Sequence, residues 1–241
     1  MANMVIRPAT GTGNKVIVQD QAGAPVLTTA DAGADLAMSV TGTGGIKSQQ
    51  VFTSSGTWTK PAGITRIKVY VTGSGGGGGA TNMDDMAPGG GAGATCIKII
   101  DVTSISSVAV TVGAAKAGKA NDSPTPHSAG NPSSFGSHCT AQGGYTPGDG
   151  WAVGGKGGTG SGGDINITGG DGQGGLIDNT GNHQAAGTGG ASYWGSGGRG
   201  STRLTTAARA GNAPGSGGGG GADTETGSNS APGIVIVEEY R

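Results

Sequence analysis

Four aromatic side chains stand in glycine-flanked stretches of this sequence, away from any alternating β-pattern: Tyr145, Trp151, Tyr193 and Trp194. Aromatic rings on loops offer a large, rigid contact area and stack well on sugar faces or protein ridges. Residues of this type in this setting predict a surface that binds a partner. The alternative is that the rings fill gaps between glycine segments that cannot fill space themselves. Both interpretations stand for Trp194, and the gap-filling one applies less to Trp151.

Polar loop segments add further candidates to this surface. The segment 81–88 interrupts two glycine tracts and carries Asp84, and the proline-containing segment 113–132 carries His127. We predict that both segments are irregular loops, because proline excludes regular helix and central strand. Loops on a rigid scaffold can change sequence without endangering the fold. Three more loops complete the predicted partner-facing rim: 145–153, 176–186 and 203–214.

Signatures of catalysis are weak in this sequence. Matches to GxGxxG arise from composition alone, and neither a GxxxxGK[ST] phosphate loop nor a GxSxG motif between a strand and a helix occurs. His127, His138 and His183 lie in different segments, without the spacing of HExxH. Adjacent Glu238 and Glu239 in a strand would point to opposite faces, which does not suit a shared acid/base pair. We therefore predict a protein that is not an enzyme and uses no cofactor.

Metal ligation is not favoured either. The stretches GGDINI and GGDGQGG have a faint likeness to calcium-binding nonapeptides, but they do not repeat at a fixed period. The two cysteines, Cys96 and Cys139, lack CxxC spacing and fall in predicted strands. Buried free thiols are the favoured interpretation. A disulfide requires that the two strands be neighbours in the right geometry.

Short β-strands are the elements that must position these residues. Residues 51–80 read as two strands joined by a Pro-Ala-Gly turn and followed by a bare glycine tract. Alternation in the second strand places Ile67, Val69 and Val71 on one face and Arg66, Lys68 and Tyr70 on the other. Trp58, inside the first strand, is predicted to belong to the core.

Further strands follow along the chain, and the last is apolar enough to be central in a sheet. Only the stretch 201–210 has any helical texture. Several short strands with Gly/Pro turns predict an all-β, sandwich-like framework. The additional strands are predicted at 94–102, 107–112, 134–141, 164–168 and 233–240.

Glycine dominates the composition, with 56 of 241 residues, whereas 33% of residues are hydrophobic and 4% are aromatic. A formal net charge of −1 leaves little self-repulsion, and the apolar residues cluster into short runs, so order is favoured over disorder. Glycine loses the most backbone entropy on folding and needs compensation. Polyglycine II helices, which pack closely and bond sideways through their backbones, can supply it. Association of several chains is a second source.

Two domains are predicted. Residues 1–48 contain strands at 15–19 and from Pro25, with too few apolar residues for a core of their own, and end in the flexible stretch TGTGG. They form either a fibre-shaft segment or a mobile arm. Residues 49–241 form the glycine-rich head, whose first and last strands should lie close together.

Charge and hydropathy limit the partners. The near-zero net charge and the lack of a basic stripe argue against nucleic acid. No run approaches the roughly 18 apolar residues of a membrane helix, so membrane insertion is not expected. The N-terminus MANMVIRPAT lacks the apolar core of a signal peptide. We expect the protein to be made in the cytoplasm of the producing cell.

Five blocks in order carry a family resemblance: FTSSGTWTKPAGITRIKVYVTGSGGGGG, GGGAGATCIKIIDVTSISSVAVTVGAA, NPSSFGSHCTAQGG, GGASYWGSGGRG and APGIVIVEEY. Together they resemble the glycine-rich C-terminal domain of bacteriophage tail fibres, from about Gln49 to Arg241. The resemblance implies a distal fibre domain that binds a host-cell surface. The sequence is also similar to phage adhesins in which polyglycine II helices form a sandwich that presents variable loops.

The function expected from this resemblance is non-enzymatic receptor binding by a tail-fibre protein of the virion. Its partners would be a host-cell surface polysaccharide or outer-membrane protein and other tail proteins, and the expected assembly is a homotrimer. The alternative is a purely structural virion component whose loops contact neighbouring virion proteins. A depolymerase is less favoured, because no pair of carboxylates is arranged for glycoside hydrolysis.

Overall fold

The computed structural model describes residues 17–19, 25–28, 45–81, 86–120, 128–148, 153–177, 183–202, 207–222 and 224–241. The chain divides into two compact units, Met1–Gly44 and Gly45–Arg241. The described part of the first unit is an antiparallel hairpin of strands β1 (Ile17–Gln19) and β2 (Pro25–Thr28). None of the described residues of either unit is helical, and this includes residues 201–202 and 207–210 of the stretch with helical texture.

The second unit begins at Gly45 and contains two antiparallel five-stranded sheets and one two-stranded ribbon. One sheet has the order β10-β9-β8-β7-β4 and the other the order β11-β6-β5-β14-β3, while β12 pairs with β13. The all-β prediction is confirmed. The strands are β3 (Ile46–Phe52), β4 (Gly56–Thr59), β5 (Arg66–Thr72), β6 (Thr95–Asp101), β7 (Ser107–Thr111), β8 (Ser133–Phe135), β9 (Cys139–Ala141), β10 (Gly160–Ser161), β11 (Ile165–Ile167), β12 (Leu176–Ile177), β13 (His183–Ala185) and β14 (Ile234–Tyr240).

The two ends of the second unit meet in the larger sheet. The last strand, β14, lies between β5 and β3, so the first and last strands of this unit are paired, as predicted. Ile236 of β14 stands opposite Tyr70 on one side and Val51 on the other. The apolar character of β14 thus corresponds to its central position.

A hydrophobic core fills the space between the two large sheets. Ile67, Val69 and Val71 point inward and are fully buried, and the alternation predicted for this strand is confirmed. Trp58 has no exposed surface and packs against Phe135, with ring centroids 5.9 Å apart. Each such side chain stabilises the fold by about 1.5–3 kcal/mol through burial alone. This part of the molecule is a conventional sandwich core.

Two predicted strands are wrong in form. The first strand predicted within residues 51–80 is divided between β3 and β4, which belong to different sheets. The sequence predicts a single strand over 134–141, whereas the structure has the hairpin of β8 and β9, in which Ser134 pairs with Thr140. Gly136, with φ of 51°, makes the turn possible because a side chain disfavours that conformation. The two halves of the predicted strand therefore run in opposite directions.

Extended segments continue from the strands and pack side by side as a glycine lattice. The segments are hydrogen-bonded to their neighbours mainly through backbone groups, with a few side-chain bonds such as the one that Gly157 N–H donates to Asp171. We use the name glycine lattice for residues 73–79, 87–94, 113–119, 128–131, 142–146, 155–159, 169–173, 186–190, 198–201, 209–211, 215–221 and 227–233. The two tracts 73–79 and 215–221 are part of it, so the bare backbone there is ordered.

The central segment of the lattice, 87–94, has six neighbours, and its partners change with a period of three residues. Its N–H groups donate to three neighbours in turn: Ala87, Gly90 and Gly93 to segment 215–221, Gly89 and Ala92 to 169–173, and Gly91 and Ala94 to 142–146. Its carbonyl groups accept from three others: Ala87 and Gly90 from 186–190, Pro88 and Gly91 from 73–79, and Gly89 and Ala92 from 155–159. Three residues per turn is the repeat of polyglycine II. The lattice is a hexagonal packing of such helices.

Glycine is needed in this packing because it has no Cβ. A Cβ added to Gly90 would lie within 3.0 Å of the carbonyl oxygen of Gly76, and one added to Gly217 would meet that of Gly90 in the same way. Among the described glycines only five have a positive φ, and Gly215 is the one that belongs to the lattice segments. Close approach of backbones, rather than an unusual φ, explains the glycine content.

Candidate functional site

The glycine lattice has a sheet end and an opposite end. At the sheet end the segments pass directly into strands, as where Gly73 follows β5 and hydrogen-bonds to Ala94 before β6. At the other end Gly79 N–H donates to Pro88, Gly221 N–H donates to Gly79, and Met86 is bridged to Ala222. At about 3.1 Å per residue, segment 73–79 separates the two ends by roughly 20 Å.

The second unit has six undescribed segments, and the residues that flank them lie at this second end, which we call the loop-bearing end. Lys119 N–H donates to Gly78, Gly187 N–H to Ala87, and Ser201 N–H to Gly220, so the segments that flank the gaps are joined there. The gaps are residues 82–85, 121–127, 149–152, 178–182, 203–206 and 223. The candidates Asp84, His127 and Trp151 lie outside the described residues, and each falls in one of these gaps.

Tyr145 lies in the lattice rather than in a loop. Its N–H donates to the carbonyl of Lys156 at 2.8 Å, and its carbonyl accepts from Gly91 N–H at 2.9 Å. The side chain is 38% exposed. The lattice thus fixes the backbone of this aromatic residue while part of the ring reaches solvent.

Tyr193 and Trp194 lie at the sheet end of the lattice, in a tight turn. Ser192 and Gly195 exchange backbone hydrogen bonds of 2.9 and 3.3 Å, and the Ser192 hydroxyl accepts from Trp194 N–H at 3.1 Å. The two rings meet edge to face, with centroids 4.9 Å apart. Both rings lie near Tyr70 on the outer face of β5. The Tyr70 ring centroid is 6.4 Å from that of Tyr193 and 6.0 Å from that of Trp194.

Trp194 covers a polar junction between sheet and lattice. Its indole Nε1–H donates to the Thr72 hydroxyl at 2.9 Å, and that hydroxyl is 2.8 Å from the hydroxyl of Thr95. The ring is half-buried, whereas Tyr193 is 48% exposed. This geometry favours the gap-filling interpretation for Trp194 and leaves Tyr193 as the accessible ring of the pair.

Charged groups border these rings on the outer face of the sheet. Lys68 Nζ lies 4.8 Å from the centroid of the Tyr70 ring, and Lys68 stands opposite Glu238 in the next strand. The hydrogen bond with Tyr70, above all, raises the pKa of the Lys68 ammonium, and the charge of Glu238 adds to this effect. Tyr240 donates its hydroxyl to Glu238 at 2.8 Å, and burial together with this bond raises the pKa of Tyr240. Lys68, Tyr70, Tyr193, Trp194, Glu238 and Tyr240 form what we call the lateral patch.

An apolar row crosses the same face of the sheet. One residue from each of the five strands stands in register: Ile165, Ile97, Tyr70, Ile236 and Val51. Ile165 and Val51 at the two ends are more than half exposed. Sequence reasoning placed Tyr70 on the outer face but did not recognise it as part of a site. The sequence did contain a signal for this, because the alternation of Tyr70 with the core residues of β5 leaves an aromatic side chain on the outer face.

Sequence comparison assigns this architecture to a family. The glycine-rich domain family matches residues 48–240. The chain belongs to the glycine-rich domain family. No curated protein matches the chain. The matched region of this glycine-rich domain contains both sheets, the glycine lattice and the lateral patch.

The glycine-rich domain also contains a buried carboxylate that accepts hydrogen bonds from three neutral side chains. Glu239 is fully buried, and its Oε1 accepts from Trp58 Nε1–H and from the Gln50 side-chain amide, each at 2.7 Å. Its Oε2 accepts from the Ser48 hydroxyl. Glu238 and Glu239 thus lie on opposite faces, as predicted. The network joins β3 and β14 to β4 of the other sheet, and sequence reasoning did not predict it.

The described part of the glycine-rich domain has neither a metal-binding cluster nor a membrane-spanning helix. Within the described ranges, no group of three or more His, Cys, Asp or Glu side chains is placed to hold a metal ion. Among the residues that the structure describes, no helix has the length and apolar character needed to cross a membrane. The candidate surfaces of the domain are therefore the loop-bearing end and the lateral patch.

Proposed function

We propose that this glycine-rich domain protein is a non-enzymatic bacteriophage tail-fibre protein that adsorbs to a host-cell receptor through its loop-bearing end. The resemblance to tail-fibre sequences supports the proposal. One structural observation carries it: at one end, a close-packed lattice holds the described residues on both sides of six undescribed segments. Binding residues are commonly placed on loops that a rigid scaffold positions.

The scaffold suits such a role because the hydrogen bonds at its centre involve none of the undescribed segments. The central segment 87–94 is held by hydrogen bonds to six neighbours, all of them backbone groups. A change of side chain in residues 121–127 or 149–152 therefore leaves these bonds intact. The receptor class that we propose is a surface polysaccharide or an outer-membrane protein, and the protein would act in the virion.

Several copies would bind together. The proposed homotrimer would place several loop-bearing ends on one cell surface, so weak contacts would add up through effective concentration. Light scattering of the purified protein reads the assembly state directly. A monomer at micromolar concentration would contradict the trimer and leave single-site binding to be measured.

Exchange of loop sequences tests the proposed function. Residues 121–127 and 149–152 are replaced by Gly/Ser sequences of the same length, and adsorption of labelled protein to host cells is measured. We expect a loss of about tenfold or more with an unchanged Tm, because hot-spot contacts carry most of the binding energy. The matched control replaces the exposed turn residues Thr53 and Ser54. Full adsorption by the loop variant would contradict the proposal.

A pair of tryptophan substitutions separates the two candidate surfaces. Trp151→Ala should weaken adsorption without lowering Tm, whereas Trp194→Phe should lower Tm slightly, since the bond to Thr72 is lost, and leave adsorption intact. The reverse result would move the receptor site to the lateral patch. Incubation with host polysaccharide should release no new reducing ends, and their appearance would reveal a depolymerase.

The outer face of the larger sheet favours a second candidate function. Exposed apolar side chains at Val51, Ile99 and Ile165 are unusual on an outer sheet face and are typical of protein contacts. They support the alternative of a structural virion component that packs against a neighbouring virion protein. Under that alternative the loop exchange leaves adsorption unchanged, while Ile99→Lys prevents incorporation into particles.

A further inference from the structure

Two buried thiols meet between the two sheets of the sandwich. Cys96 is on the inner face of β6, opposite Val71, and Cys139 is in β9, opposite Phe135. Both cysteines are free and buried. Both belong to the same core cluster, and one turn touches both: a Cβ on Gly163 would lie within 3.0 Å of Cys96 Sγ, and one on Gly162 would lie 3.3 Å from Cys139 Cα.

The Cys96 sulfur lies close to the strand that carries Cys139. Cys96 Sγ lies 3.5 Å from the carbonyl oxygen of Ser161, and Ser161 pairs with Thr140. Ser161 thus connects the Cys96 sulfur to the strand that carries Cys139. A disulfide needs Cβ atoms roughly 3.5–4.5 Å apart. Two buried thiols in one core cluster, on strands of facing sheets and beside the same turn, are placed to reach this geometry.

We propose that Cys96 and Cys139 form an intramolecular disulfide, which ties the two sheets together, when the folded protein meets hydrogen peroxide or a similar peroxide. The proposal concerns the sandwich alone and does not depend on what the loop-bearing end binds. It adds a covalent cross-link between residues far apart in sequence, and closure of such a loop stabilises the folded state.

The surroundings assign different roles to the two sulfurs. The neighbouring Cys139 thiol, and to a smaller extent the charge of Lys98, lowers the pKa of Cys96. The neighbouring Cys96 thiol, together with burial, raises the pKa of Cys139. The Cys96 sulfur also lies beside the carbonyl of the exposed residue Ser161, so we assign Cys96 as the nucleophile, because the thiolate is the reactive form.

The reaction is balanced in two steps. The Cys96 thiolate attacks one peroxide oxygen and the O–O bond breaks, which gives a sulfenic acid on Cys96 and a hydroxide that becomes water with the released proton. Cys139 sulfur then attacks Cys96 sulfur, the S–O bond breaks, and the hydroxyl leaves as water with the Cys139 proton. The two thiols lose two electrons and two protons, and the peroxide is reduced to two water molecules.

Only a thin layer of backbone separates Cys96 from solvent. The turn 161–164 covers its sulfur, and Ser161 and Gly162 of this turn are exposed. A Cβ on Gly163 would lie within 3.0 Å of Cys96 Sγ, so glycine is required there. Gly162 and Gly163 of this cover have no side chains, which favours access by a small oxidant such as peroxide over access by a bulky reagent.

Oxidation of the purified full-length protein tests the cross-link. After treatment with a small excess of hydrogen peroxide, we expect a monomer whose intact mass has lost two hydrogens and gained no oxygen. Its Tm should rise by roughly 4–16 °C and return to the starting value with dithiothreitol. Two thiols that remain alkylatable after unfolding, a sulfinic acid, or a disulfide between chains would each overturn the proposal.

Two matched variants test the assignment of the nucleophile. Cys139→Ser leaves no resolving thiol, so Cys96 should accumulate as a sulfenic acid that dimedone labels. Cys96→Ser should be labelled at least about tenfold more slowly, because burial still raises the pKa of Cys139 when the Cys96 thiol is absent. Equal or reversed rates would overturn the assigned roles. If either variant fails to fold, the mass and Tm of the oxidised wild-type protein still decide whether the cross-link forms.

Discussion

The sandwich and the glycine lattice of this domain are stabilised in opposite ways. In the sandwich, side chains such as Trp58 and Ile67 fill the space between two sheets, and backbone bonds stay within each sheet. In the lattice, the space between segments is filled by backbone itself, and hydrogen bonds run in several directions from each segment. The comparison teaches that a buried position can be intolerant of smaller residues in one region and of larger residues in the other.

The largest effect is expected from adding a methyl group at the lattice centre. Gly90→Ala would place Cβ within 3.0 Å of the carbonyl oxygens of Gly76 and Gly77, and six neighbouring segments prevent the backbone from moving away. We expect a loss of more than about 4 kcal/mol in the free energy of unfolding, or failure to fold. Urea denaturation measures it.

The matched control for this substitution is Gly45→Ala, where nothing lies within 4 Å of the added Cβ. It should change stability by less than about 0.5 kcal/mol. If Gly90→Ala were equally harmless, close approach would not explain the glycine content, and the contrast between the two regions would be lost.

The opposite change, from large to small, should be costly in the sandwich. Ile67→Ala removes methyl groups from a fully buried position and leaves a cavity. We expect a loss of about 2–5 kcal/mol by thermal or urea unfolding. Ile99→Ala, on the outer face of the same sheet and 56% exposed, is the control and should cost much less. Equal effects at the two positions would contradict the assigned core.

A smaller effect is expected where the sandwich buries a polar group. Glu239→Leu removes both accepting oxygens and leaves Trp58 Nε1–H and the Gln50 amide without their acceptor. Leaving such buried donors without acceptors costs about 1–3 kcal/mol. Glu238→Leu is the control on the outer face, where solvent can replace the lost interaction. A Glu239→Leu protein as stable as the control would show that the network does not join the sheets.

The smallest effect concerns an exposed turn of the sandwich. The hydroxyl and backbone N–H of Thr103 donate to Asp101, and these bonds lower the pKa of the Asp101 carboxyl in the folded state. A carboxyl whose pKa is lower in the folded than in the unfolded state contributes stability above its unfolded pKa. That contribution disappears as the pH falls through the folded value. Stability of Asp101→Asn relative to wild type should therefore improve as the pH is lowered below about 4. A difference that is constant with pH would contradict this.

The sandwich was largely predictable from the sequence because its strands carry their own pattern. Alternation located the inner face of β5, and the apolar run of β14 indicated a central strand. The hairpin of β8 and β9 was missed because Gly136, which makes its turn, interrupts an otherwise continuous strand-like run. A pattern of side chains predicts which face is buried but not where a short run reverses.

The lattice could be predicted as a type of structure but not as an arrangement. A period of three appears in its hydrogen bonds and not in its residue types, so the sequence contains no signal for which segments are neighbours. Prolines such as Pro88 and Pro132 suggested irregular loops, yet the φ that proline imposes is close to that of a polyglycine II helix. The described parts of 113–132 accordingly include lattice segments.

The candidate site was predicted by residue type and not by location. Tyr193 and Trp194 do form an aromatic pair, but on the sheet face and beside Tyr70, whereas Asp84 lies in a gap at the loop-bearing end. A chain that crosses the lattice many times can place consecutive glycine-flanked stretches at opposite ends. Only the register of backbone hydrogen bonds distinguishes these positions.

The period of three in the lattice determines which insertions a segment can accept without changing its hydrogen-bond partners. Three residues added within one segment return every later N–H and C=O to the neighbour that it faced before. One or two residues added there rotate the rest of the segment by a third or two-thirds of a turn, so each later group faces a neighbour that is already occupied. Lineages of this domain should therefore gain and lose length inside the lattice in triplets, and freely outside it.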